Sequence, residues 1–207
     1  MYIKKATLSD IKQISDSVYE AFKEYELFAI KASNQSKESV LKELFKLNTI
    51  AYIQKDSCYV CIENEKLVGT FNLIDLRNRS IGISDFLKAG ALKALFQMNI
   101  LTIGQIMNRL IKADSALKDY GKDYYYLDTL VISPQHQGNG LGSKIIDYIK
   151  DLIESESEKV DLRLITNSDI NAKFYTKNGF VVTKKSSFDV LDQRITTWSF
   201  LYQTSQL

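Results

Sequence analysis

The stretch that decides the fold is residues 124–151, YYYLDTLVISPQHQGNGLGSKIIDYIKD. It opens on aromatic and β-branched residues, turns at Ser133-Pro134, crosses three glycines at Gly138, Gly140 and Gly142, and continues as an amphipathic pattern to about Ser155. That order predicts strand, glycine loop, helix. Such a loop leaves several backbone N–H groups unpaired at a helix N-terminus, and the helix dipole favours an anion there. The expected ligand is a phosphate-bearing cofactor.

Around this stretch the chain is ordinary globular material, 207 residues with 45% hydrophobic and 25% charged, enough to bury a sizeable core. Lys plus Arg is 27 against 25 for Asp plus Glu, and neither sign forms a long block, so nothing calls for a nucleic-acid partner. The N-terminus MYIKKATLSDIKQI lacks the apolar segment of a signal peptide, and no uncharged apolar run of about 18 residues occurs. A cytoplasmic protein with no membrane partner is expected. Cys58 and Cys61 form a CxxC, but no second pair and no nearby His accompany them. Three apart in a strand they face opposite sides, so they read as two unpaired thiols, and no metal is expected.

Before the deciding stretch, residues 2–6 are extended, and Thr7-Leu8-Ser9-Asp10 resembles a capping box with Asp in place of Glu. Ile11, Ile14, Val18, Ala21, Phe22 and Tyr25 predict a helix to about Glu26, and a second helical pattern covers 36–48. Residues 58–62 and 66–75 read as a hairpin, with Gly69 marking a bulge or a close backbone approach. Residues 83–117 form an apolar helical insertion that Lys88, Lys93, Arg109 and Lys112 keep from being a simple membrane span. Gly90 and Gly104 predict that it breaks into two or three helices, which either pack as core or lid a cleft. After the deciding stretch come a strand at 160–166, a helix at 168–178 ended by Asn178-Gly179, and antiparallel strands at 180–183 and 195–202. No repeat or linker marks a boundary, so residues 1–207 are expected to form one domain.

The glycine loop is not a P-loop, because Lys144 follows Ser143 instead of preceding it. Nor does its GxGxG spacing fit the dinucleotide fingerprint GxGxxG. A plain strand-to-helix turn stays open on the loop alone. With the second half of the chain added, the pattern resembles the GNAT family of N-acetyltransferases. The resemblance is carried by Leu130-Val131-Ile132-Ser133-Pro134, by Gln137, Gly140 and Gly142 in the loop motif R/Q-x-x-G-x-G/A, and by Asn171, Phe174-Tyr175 and Gly179-Phe180. Gln135, Gly138 and Gly140 match the motif too, but the gap after the proline favours Gln137. The likeness covers about 124–183; over the first 75 residues only the order of elements is compatible. The runs YYLDTLVISPQHQGNGLG and LITNSDINAKFYTKNGF, with Thr197-Trp198, are most similar to the puromycin N-acetyltransferase-like branch, which also carries helices between its third and fourth strands. Leu164-Ile165-Thr166 departs from that branch's usual Leu-Glu-Thr, which puts the substrate in doubt.

The resemblance implies an α/β fold, a mixed, mostly antiparallel sheet with helices on both faces and a helical insertion between strands three and four. It implies an acyltransferase using acetyl-CoA, with the pyrophosphate held at Gln137, Gly138, Asn139, Gly140, Leu141, Gly142 and Ser143, where any Cβ is expected to collide. Leu130, Val131 and Ile132 would run along pantetheine, one of their N–H groups polarising the thioester carbonyl. Asn171 would hydrogen-bond the cofactor, and Tyr175 would protonate the sulfur. Asp128 is the acid of the fourth strand, on a face expected to be shared by Tyr126, Leu130 and Ile132. It is either the general base or a solvated carboxylate, and Glu20, Glu24 and Glu26 are other candidates. His136 reads as an exposed turn residue and Trp198 as core or cleft wall. The expected reaction is direct acetyl transfer in a ternary complex to a primary amine of a small molecule. Two rivals stay open: a non-catalytic CoA-binding module, and a protein acetyltransferase acting on a lysine or N-terminus. A homodimer is also left open.

Overall fold

The computed structural model describes residues 1–156, 159–190 and 193–204. Strand β1 (Tyr2–Lys5) leads into the capping box, where the Thr7 N–H and the Thr7 hydroxyl both donate to Asp10 Oδ2 at 2.8 Å. Asp closes the box as Glu would. Helix α1 (Ile11–Phe22) stops short of the expected Glu26, because Tyr25 takes extended backbone and Glu26–Phe28 form a separate 3₁₀ turn that buries Leu27 and Phe28. Helix α2 (Asn34–Gln54) is longer than expected. The Thr49 hydroxyl donates back to the Phe45 carbonyl at 2.8 Å, and Ala51 and Tyr52 prolong the buried face.

Strands β2 (Cys58–Glu63) and β3 (Lys66–Asp75) form the expected hairpin. Asn64 and Glu65 take left-handed φ of 50° and 62°, which gives a two-residue turn that matches the strand twist. The insertion holds three helices, α3 (Ile83–Lys88), α4 (Ala91–Leu95) and α5 (Ile100–Asp114), followed by a 3₁₀ turn at Ser115–Tyr120. Gly90, at φ 104°, separates α3 from α4. Gly104 breaks nothing and sits inside α5, a cost to a helix of only about 1 kcal/mol. The second break comes from Asn99, whose Oδ1 accepts the N–H groups of Leu101 and Thr102 at 3.0 and 3.1 Å.

The remainder is β4 (Tyr124–Ile132), α6 (Leu141–Glu154), β5 (Asp161–Thr166), α7 (Asp169–Lys177), β6 (Val181–Val190) and β7 (Gln193–Tyr202). The last two strands outrun the expected ranges because most of β6 is exposed or half-buried and carries no apolar alternation to read. The sheet runs β1-β2-β3-β4-β5-β7-β6, antiparallel throughout except for the parallel pair β4 and β5. This is the expected mixed, mostly antiparallel α/β fold. One face packs on α1, α2 and α5 through residues such as Ile14, Leu41 and Ile106. The other packs on α6 and α7 through Ile145, Ile149 and Ala172. Cys58 lies in the first core and Cys61 in the second. Both are free thiols, which burial pushes up to about 12, so they stay protonated and unreactive.

Candidate active site

Two parallel strands that begin paired and then part make the centre of the molecule. β4 and β5 pair only at Tyr124 with Asp161, Tyr125 with Leu162 and Tyr126 with Arg163. Beyond that point β4 stays with β3 as far as Ile132, while β5 stays with β7 through Thr166. From Leu127 to Ile132 the edge of β4 that faces β5 therefore has no strand partner among the described residues, and apart from the Ile132 carbonyl its outward N–H and C=O groups are available to an extended ligand.

The mouth of this fork is the glycine loop. The turn before it is tied down, with the Ser133 N–H donating to the Val68 carbonyl at 3.0 Å and the Ser133 hydroxyl to that of Leu67 at 3.2 Å. The Gln137 side-chain amide turns back to the Ile132 carbonyl at 3.0 Å, and its N–H goes to the Pro134 carbonyl. Gln137 thus braces the loop with both donors. Among the described residues, no protein acceptor takes the N–H of Gly138, Asn139, Gly140, Leu141, Gly142 or Ser143. Six donors in a row at the start of α6 are an anion cradle with the dipole behind it.

The glycines have separate reasons. Gly138 and Gly140 take φ of 80° and 74°, and a Cβ there would meet no protein atom within 4 Å; left-handed backbone requires them. Gly142 differs, because a Cβ there would stand 3.1 Å from the Phe174 ring. Gly69 is the close approach read from the sequence. A Cβ there would lie 2.9 Å from the Val131 carbonyl oxygen.

Tyr175 lies beneath the same face, 9% exposed, its ring held by Phe174, Phe180 and Phe200 with centroids 5.2, 5.6 and 5.8 Å away. Burial raises its pKa far above the ordinary phenol range, with a small push from Tyr25. It remains a proton donor at neutral pH. Tyr25 reaches across from the α1–α2 connection: its hydroxyl accepts the Asn167 N–H at 2.7 Å and shares a 3.0 Å hydrogen bond with Thr166. Burial raises the Tyr25 pKa, and bonds to Thr166, Asn167 and Asn171 offset part of the rise. Asn171, on the first turn of α7, therefore sits at the Tyr25 hydroxyl.

Asp128 is on the opposite face, toward α2. Leu127 pairs with Leu73 and Thr129 with Asn72, so Asp128 is the extra residue of a β-bulge. A bulge shifts the alternation by one, and the expected face is corrected accordingly. Leu130 and Ile132 pack in the α6 core, whereas Tyr126 and Val131 pack in the α1/α2 core. Asp128 Oδ2 accepts from the Thr129 hydroxyl at 2.9 Å and Asn48 Nδ2 at 3.3 Å, with Asn72 Nδ2 at 3.5 Å. The buried Tyr52 hydroxyl lies against it, its pKa raised by burial first and by Asp128 second. The same two causes raise that of Tyr126, to which Tyr175 adds a small share from across the fork.

Sequence reasoning missed Asp114, the last residue of α5. Reachable by water yet crowded by protein, its carboxyl is pushed up to about 6 by lost hydration, then by the charge of Asp128. No motif marks it; only the fold brings it within reach of the Asp128 charge. Glu20 instead pairs with Lys23 at 2.7 Å, and Glu24 and Glu26 are exposed. His136 is half-buried on the 3₁₀ turn Pro134–His136 and lines a surface concavity of about 460 Å³ with Glu20 and Lys66. Neither Tyr175 nor Asp128 lines that concavity. Trp198 is half-buried against the α6 and α7 core, opposite Thr166 across β5 and β7. Among the described residues no three His, Cys, Asp or Glu gather in a metal-binding group.

A family model described as an acetyltransferase (GNAT) domain matches residues 103–182, from α5 through α7. No curated protein matches the chain. Solved structures that it resembles include an agmatine N-acetyltransferase, 14% identical with a TM-score of 0.64, covering 98% of each chain. The polyamine N-acetyltransferase of Drosophila melanogaster is 11% identical with a TM-score of 0.60, covering 98% of this chain and 99% of that one. An N-acetyltransferase from Staphylococcus aureus is 17% identical with a TM-score of 0.58, covering 98% of this chain and 100% of that one. At these identities the likeness is one of fold.

Proposed function

We propose that the protein transfers acetyl from acetyl-CoA to a primary amine of a small molecule, by direct attack in a ternary complex. The observation that carries this reading is the fork itself, with an anion cradle and a protonated tyrosine on one face and a carboxylate on the other. The N–H groups of Gly138 to Ser143 would hold the pyrophosphate, the free edge of Leu130 to Ile132 would bind pantetheine, and Asn171 would contact its end. Bound there, acetyl-CoA supplies the activated acetyl group. Asp128 takes a proton from the ammonium form of the acceptor, leaving a neutral nitrogen that can attack. As the carbon–nitrogen bond forms and the carbon–sulfur bond breaks, Tyr175 gives its hydroxyl proton to the sulfur. The nitrogen loses its second proton, Tyr175 regains one, and the net release is a single proton to water.

Asp128 and Asp114, each within reach of the other's charge, favour an acceptor that arrives as a cation. That agrees with the agmatine and polyamine named for two of the structural neighbours. The test is CoA release across a panel of amines with Tyr175→Phe alongside. The variant should lose about 100-fold in kcat with little change in the KM for acetyl-CoA. Ping-pong kinetics or a trapped acetylated side chain would overturn direct transfer, and acetyl-CoA binding without turnover of any amine would leave the non-catalytic module.

A further inference from the structure

Residues 86–113 contain no Asp or Glu, while Lys88, Lys93, Arg109 and Lys112 lie among them. The helices they form run along the outer side of α2. At one end Lys55 pairs with the buried Asp85 at 3.0 Å, and at the other Ser36 and Thr102 share a hydrogen bond of 2.8 Å. Those anchors are separated by most of α2, roughly 30 Å at the rise of an α-helix. The inner side of this strip buries Ala94, Ile106, Arg109 and Ala113. Its outer side is apolar and open to water. Ile83 and Leu87 repeat at i, i+4 on α3, Leu92 and Phe96 repeat at i, i+4 around α4, and Ile100 and Ile111 share one stripe of α5. Phe96 is 85% and Ile83 81% exposed, far beyond the scattered apolar residues of an ordinary surface.

Lys88 and Lys93 are the exposed charges of this strip. Arg109 is buried, and Lys112 donates to the Asp189 carbonyl at 3.3 Å. We propose that the strip seats the protein on the surface of a bilayer rich in anionic lipid. The apolar side chains would enter the headgroup boundary, and the two lysines would lie among the acidic headgroups. A second copy fits less well, since a two-fold contact sets the same cations against each other with no carboxylate to answer them. The lysines that break up a membrane span are suited to a helix lying in the plane. No helix among the described residues is long and apolar enough to cross a membrane.

Co-sedimentation of the full chain with vesicles tests this, using pure phosphatidylcholine against vesicles with about one third phosphatidylglycerol. Binding to the anionic vesicles is expected, weakening with salt. The pair Lys88→Glu and Lys93→Glu should lower it at least tenfold, given about fivefold for each lysine. The pair Leu92→Ser and Phe96→Ser should do the same, with thermal unfolding unchanged because these side chains pack on little. The proposal is overturned if the chain stays in solution with anionic vesicles, if neither pair alters binding, or if sedimentation velocity shows a dimer that Phe96→Ser dissociates.

Discussion

Two carboxylates divide the residue-scale question. Asp128 was legible as the acid of a strand on the face of Tyr126, but Leu130 and Ile132 leave that face, because one bulge residue reverses every side chain after it. Asp114 was not legible at all. Its raised pKa has a consequence for stability that can be signed. In the folded chain Asp114 keeps its proton up to about pH 6, against 3.8 for a free carboxyl. Between those values the folded state binds more protons than the unfolded one, so stability falls as pH rises through this window. Asp114→Asn should flatten that slope, as read by urea unfolding at several pH values between about 4 and 7. Asp128→Asn removes the smaller cause of the shift, so in that variant the Asp114 carboxyl should titrate lower, though not at its free value. It should also lower kcat/KM for a cationic amine about 100-fold or more at neutral pH. An Asp128→Asn enzyme with full kcat/KM would remove Asp128 from the chemistry.

At the scale of elements, the strand, loop and helix of residues 124–154 follow from local rules, and there the sequence served well. Gln137 and the glycines announced the loop, yet the three glycines answer to two different demands. Gly140→Ala forces an L-residue into left-handed backbone, roughly 1–2 kcal/mol, which for a chain of this size is about 2–8 °C in Tm. Removing Phe174 should not relieve that loss, since nothing touches the new methyl group. Gly142→Ala instead drives a methyl group against the Phe174 ring at 3.1 Å, a packing strain of about 1–3 kcal/mol. Here Phe174→Leu should recover much of the Tm. Equal rescue of both variants would mean that the two glycines do the same work. The far part of strand β6 and the end of α2 escaped the sequence reading for a plainer reason. An exposed strand and a helix with Thr49 on its buried side carry no clean apolar period.

On the scale of the whole molecule, Arg109 joins segments that the chain order keeps far apart. Only 1% exposed, its guanidinium donates to the Glu26 carbonyl at 3.1 Å and to Gln193 Oε1 at 3.2 and 3.3 Å, and among the described residues its Nε has no partner. It thereby links the insertion, the α1–α2 connection and the start of β7. Burial lowers its pKa, so the charge is held at a cost, and among the described residues no carboxylate repays it. Arg109→Met, similar in volume, should leave Tm unchanged or raise it, whereas Arg109→Ala should cost about 2–4 kcal/mol by opening a cavity. A Tm for Arg109→Met as low as that for Arg109→Ala would show that the charge, not the volume, holds these segments. The sequence by itself determined the cradle, Tyr175 and the order of elements, because loop chemistry, capping and periodicity act within a few residues. Only the tertiary structure decided where β4 and β5 part, that Leu130 and Ile132 leave the face of Asp128, that Asp114 lies within reach of its charge, and that the insertion turns an apolar side outward. Each of these depends on pairing and packing between residues distant in the chain, and no local spacing encodes it.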